Sequence, residues 1–190
     1  GEIVCMIQSA SYHYPVSNVL GAATLALPSA LVLTPAVGGH LWLGTQNMWL
    51  FLGLFALIFA TGYLLVQKWP SLKRCFISIR EMDEEVEEAA VTRFFRHGLH
   101  QTRDATGILI FISVFEHKVW ILADRGIDAK LDQGTWDGIV QVITDGIRNS
   151  RPADAICEAV EQVGDMLEEH FPIRSDDQNE LRNVIIADDD

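Results

Sequence analysis

The chain is 190 residues long, 49% hydrophobic, and carries 14 Lys and Arg against 26 Asp and Glu, a net charge of −12. So acidic a surface repels nucleic acid, which is excluded as a partner; the three distant cysteines, Cys5, Cys75 and Cys157, suit neither a disulfide framework nor a zinc site. No Asp, Glu, Lys or Arg occurs between Glu2 and Lys68, so the two parts of the chain answer to two different solvents.

GEIVCMIQ opens the sequence as a strand, without the basic run of a signal peptide. A start on Gly1 instead of Met marks a fragment or a processed product as the expectation. Residues 17–38 and 48–67 are uncharged stretches, each about the ~20 residues that cross a hydrocarbon core as a helix. The second, MWLFLGLFALIFATGYLLVQ, is uniformly apolar; the first is interrupted by Gly21, Pro28 and Pro35, which spanning helices tolerate where neighbours satisfy the freed carbonyls. A buried core hairpin is the alternative, but core helices rarely lack a polar face over a whole span.

The connector GGHLWLGTQN is short, so the two spans are antiparallel and return the chain to one side. Trp42, Trp49 and Trp69 suit the interfaces, and Lys68, Lys73, Arg74 and Arg80 place the following domain in the cytoplasm, the side on which basic flanks are kept. His13 and His40 are polar interfacial residues with no chemistry attached. The small residues Gly21, Ala22, Ala23, Ala26 and Ser29 would allow close contact with a partner helix, or pack only on the second span.

Beyond the spans, an amphipathic helix is predicted from Met82 to Leu99, with Met82, Val86, Ala89, Ala90, Val91, Phe94 and Phe95 on its apolar face, acids in its first turns and Arg93 and Arg96 near its end. GILIFISVF and KVWILA are apolar runs of interior strands, pairing antiparallel through a turn at Glu116 and His117. Thr135 can cap a helix with Trp136, Ile139, Val140, Ile143 and Ile147 on one stripe. Pro152 opens another, ended by Phe171-Pro172, and NVII adds an edge strand. The expected fold class is α/β, a mixed β-sheet sandwiched by helices, with an inserted two-helix transmembrane hairpin. Residues 1–12 supply the first strand, 13–70 the hairpin and 71–190 the rest of the domain.

TGILIFISVFEHKVWILADRGI, followed by GTWDGIV, AICEAVEQVGDMLEEHFP and DDQNEL, resembles the TPM domain family. The order of GEIV, hydrophobic hairpin and RFFRHGLHQTRDATGILIFIS is similar to its membrane-embedded bacterial branch, which usually has a helix before GEIV. The resemblance implies a domain commonly labelled a phosphatase, associated with calcium binding in some relatives and with accessory or repair roles for membrane complexes in others. It directs a search for metal to the acid after the second hairpin strand, here Asp124, where Arg125 intervenes before Gly126.

Asp124 and Arg125 are the site candidates, an acid and a cation at a strand end that could grip a phosphate. An Asx-turn and an ion pair are their structural alternative. Asp124, Asp137, Asp176 and Asp177 are the candidate ligands for calcium or magnesium; SDDQNEL lacks the spacing and central Gly of a calcium loop, and Asp137 suits a helix first turn. No Gly-rich phosphate loop or Cys-x5-Arg loop is present. The leading expectation is a non-catalytic accessory protein in the inner membrane, with two spans and a cytoplasmic domain, serving a larger membrane complex. Its rival is a membrane-bound, metal-dependent phosphatase using Asp124 and Arg125.

Overall fold

The structure, a computed structural model, describes residues 2–102, 104–131, 134–171 and 184–187. Two compact units emerge: His13–Glu81, and a unit assembled from both sides of it, up to Tyr12 and from Met82 onward.

The second of these is built on a four-stranded mixed sheet. Strand β1 (Glu2–Gln8) lies between β2 (Gly107–Ser113) and β4 (Val184–Ala187), both parallel to it, and β3 (Lys118–Ala123) pairs antiparallel with β2 at the other edge. β2 is buried at all seven positions, as a strand covered on both faces requires. KVWILA departs from the expectation of an interior strand: with no strand beyond it among the described residues, β3 is mostly half-buried.

Strand alternation splits the core into two layers. Val4, Met6, Leu109 and Phe111 face helix α4 (Ile79–Arg96), which answers with Val86, Ala90 and Phe94. On the opposite face Cys5, Ile108, Ile110 and Ile112 meet Trp136, Ile139 and Ile143 of α6 (Gly134–Arg148) and Ala159, Val163 and Leu167 of α7 (Pro152–His170). The sheet is therefore sandwiched by helices. α4 stops three residues before the predicted Leu99, because Gly98 takes the left-handed conformation (φ 74°) that closes helices. Thr135 lies one residue inside α6 instead of capping it.

In the other unit α1 (Pro15–His40) runs unbroken through Pro28 and Pro35, and α2 (Met48–Lys68) returns antiparallel to it. At 1.5 Å per residue they measure roughly 39 and 32 Å, enough for a ~30 Å hydrocarbon core. Gly21, Ala22, Ala26 and Ala30 form the buried seam; a Cβ on Gly62 of α2 would sit 3.4 Å from the Ala22 Cα. Of the small residues that could have met a partner helix, Gly21, Ala22 and Ala26 are thus taken up by α2. The leucines point outward: Leu27, Leu31, Leu57 and Leu64 are all more than half exposed.

Candidate functional site

Ligands of α/β folds gather at the carboxyl ends of parallel strands. In this sheet that edge is marked by Gln8 and Ser113, which sit opposite one another at the ends of β1 and β2. By alternation both side chains project toward the α4 face, following Val4 and Met6 on one strand and Leu109 and Phe111 on the other.

After Ser113 the chain makes a four-residue turn, 114–117, closed by His117 at φ 55°. Val114 and Phe115 donate backbone N–H bonds to the Gln8 and Ser9 carbonyls, extending the pairing with β1 beyond the strand. Glu116 then turns inward and is 2% exposed. Its carboxylate accepts the Ser11 backbone N–H at 3.0 Å and the Ser113 hydroxyl. Lys118, opposite Ser113 on β3, pairs with Asp83 of α4.

Glu116 is consequently a bracket between the β2–β3 turn and the segment that leaves β1. The sequence reading gave it to the turn, which is right, but missed its inward course and its companions Gln8, Ser11 and Ser113. A signal was present: Gln8 and Ser113 are the polar ends of two otherwise apolar strands. The oxygens Gln8 Oε1 and Ser11 Oγ are buried without a hydrogen-bond partner among the described residues. An ordered water satisfies such acceptors in most buried polar clusters.

Asp124 and Arg125 lie elsewhere. They follow β3, whereas Glu116 and His117 precede it, so the strand's six residues separate the pairs by roughly 20 Å. Because β3 is antiparallel to β2, Asp124 stands at the amino edge of the parallel strands, where its N–H bonds the carbonyl of Gly107, the first residue of β2.

Asp124 caps the one-turn helix α5 (Arg125–Asp128), its Oδ1 accepting the Arg125 N–H at 2.8 Å, while Oδ2 is buried and unpartnered among the described residues. Arg125 is exposed, and among the described residues it closes no ion pair. Gly126 serves a close approach: a Cβ there would come within 2.5 Å of the Ala105 carbonyl oxygen. Asp128 is held above the ordinary carboxyl range, first by burial and then by the Asp124 charge.

Calcium takes six to eight oxygen ligands, and magnesium six. Asp124 offers one unshared oxygen near Asp128, Asp137 is exposed in the first turn of α6, and among the described residues no three His, Cys, Asp or Glu side chains converge. That donor set does not fit a bound divalent cation. Asp176 and Asp177 lie outside the described residues.

Residues 74–166 match the family model described as TPM domain. A solved structure, the BA42 protein of the psychrophilic bacterium Bizionia argentinensis, is similar at 23% identity and a TM-score of 0.50, covering 54% of this chain and 71% of that one. The likeness is one of fold. No curated protein matches the chain.

Proposed function

We propose that this chain, which belongs to the TPM domain family, is a membrane-anchored accessory protein: its hairpin spans the inner membrane, its α/β unit faces the cytoplasm, and together they bind and stabilise a larger membrane complex. The observation that carries the reading is α2. Of its 21 residues only Gly62 and Val66 are buried, although the helix contains no charge before Lys68. A soluble protein would leave its leucines and phenylalanines facing water, and lipid or another membrane protein is the solvent that removes the penalty.

The basic residues after α2 and their absence from the connector support the cytoplasmic orientation. Since the small-residue seam is occupied within the hairpin, the surface offered to a partner is the outward row of leucines and valines, including Val19, Leu27 and Leu31. Affinity isolation of the tagged full chain in mild detergent at native expression tests the reading: a stoichiometric membrane protein should co-purify, and elution of the chain alone would count against it.

One observation favours the rival phosphohydrolase, the buried Oδ2 of Asp124, which has no hydrogen-bond partner among the described residues. Metal-dependent turnover by the purified chain that disappears in both Asp124→Ala and Arg125→Ala would establish that reading in place of the accessory one.

A further inference from the structure

The segment after α2 does not simply leave the hairpin. Trp69 breaks the helix in an extended conformation (φ −115°, ψ 97°), and Pro70 opens a short helix, α3 (Pro70–Arg74). The chain then folds back. A Cβ on Gly21 of α1 would meet the Phe76 ring at 2.9 Å and Val66 at 3.0 Å, so Phe76 lies at the level of Val66, inside the end of α2. Lys73 donates from its ammonium group to the His13 carbonyl just before α1 begins. Residues 69–76 are therefore an elbow fixed at both ends to the base of the hairpin. Lys68, Lys73 and Arg74 are held at the height where the helices end instead of following a free chain into water.

The charge of this elbow opposes that of the chain. Lys68, Lys73, Arg74 and Arg80 are the four charged residues between Glu2 and Glu81, all of them basic, in a protein of net charge −12. Trp69, 59% exposed, sits among them. At the connector end Trp42 and Trp49 are 96% and 77% exposed, and no charged residue accompanies them. Indole rings are enriched at both interfaces, but only one end of this hairpin couples the ring to cations.

We infer that the elbow Lys68–Trp69–Lys73–Arg74 is a binding site for anionic phospholipid headgroups. The inference rests on the hairpin spanning the bilayer, as proposed above. Ammonium and guanidinium groups at headgroup depth meet phosphodiesters already concentrated in the plane of the membrane, and each basic residue so placed favours an anionic over a zwitterionic lipid by about fivefold. An acidic domain is thereby joined to its membrane through a cationic collar that offsets the repulsion between its carboxylates and an anionic surface.

The full chain is reconstituted in nanodiscs of phosphatidylglycerol and phosphatidylcholine in equal amounts, and lipids retained by the released protein are counted by native mass spectrometry. Phosphatidylglycerol should be retained in preference by about tenfold or more. The preference should vanish in Lys68→Gln/Lys73→Gln/Arg74→Gln and survive in Lys73→Arg; Arg74→Gln alone, losing about fivefold, serves if the triple variant fails to insert. Equal retention of the two lipids, or an unchanged preference in the neutralised variants, overturns the inference. Inorganic phosphate at matched ionic strength should leave the ratio unaltered; if it abolishes the preference, the elbow is a site for free phosphate and the headgroup assignment falls. Resistance to carbonate extraction is measured on the same preparations. A chain released by carbonate overturns the spanning reading and this inference with it, whereas an inserted chain without lipid preference overturns this inference alone.

Discussion

The hairpin and the α/β unit use the same apolar side chains in opposite senses. In the α/β unit Leu109, Ile110 and Phe111 have no exposed surface and the charges lie outside; in the hairpin Leu27, Leu57 and Leu64 are exposed and glycine and alanine fill the interior. Water drives apolar groups inward in the first case. In the second, on the proposal that lipid surrounds the hairpin, close packing of small residues is what remains to hold helices together. The two patterns of burial are those expected of units in two different solvents.

Substitutions on either side of this divide should behave oppositely. Phe111→Ala empties a fully buried position between β2 and α4 and should cost about 3–5 kcal/mol of the α/β unit's unfolding free energy, read by denaturant titration. Leu57→Arg tests the hairpin: 63% exposed, this site would accept a charge without loss if it faced water, but at mid-span it costs about 3 kcal/mol. Carbonate extraction should release a clear fraction of that variant, and full retention would break the comparison.

A smaller effect is expected at the strand-end bracket. Glu116→Ala leaves the Ser113 hydroxyl, in a residue 1% exposed, without its acceptor, and should destabilise the α/β unit by about 1–3 kcal/mol while leaving membrane insertion unchanged. The smallest effect is a pH dependence. Burial, then the charges of Arg93 and Arg96, hold His97 below its ordinary pKa of 6.5. The unfolded chain binds the proton more readily, so the stability linked to His97 is complete above pH 6.5 and is lost as pH falls from there through the lower folded value. His97→Gln should flatten the thermal midpoint against pH across that window; an unaltered slope would remove His97 from the account.

Much of the architecture could be read from local pattern. The uncharged lengths of the spans, the Pro152 helix start and the strand at NVII are properties of neighbouring residues, as is the stripe Met82, Val86, Ala90 and Phe94, although Val91 and Phe95, read as inward with it, are exposed. What escaped was set by partners far away in sequence. KVWILA reads as a strand, but an apolar run does not say whether another strand lies beyond it. Asp124 reads as a strand end, but only the parallel alignment of β1 with β2 and β4 makes this end the amino edge of the sheet. Glu116 reads as a turn residue until Ser11, 105 positions earlier, is seen to need its carboxylate.

β1 and β2 are the two inner strands of the sheet, yet they are separated by the whole hairpin, so β1 is made long before β2. During synthesis it must wait for nearly a hundred residues before its first neighbour exists, and on the proposed spanning reading both must then be on the same side of the membrane. If only one helix crossed, β1 and β2 would end up in different compartments, and the central hydrogen-bonded ladder could not form. On that reading the α/β unit depends on the hairpin: a compact domain can arise only from a chain whose two helices have both crossed, or both failed to cross, and any other chain carries an unpaired apolar strand.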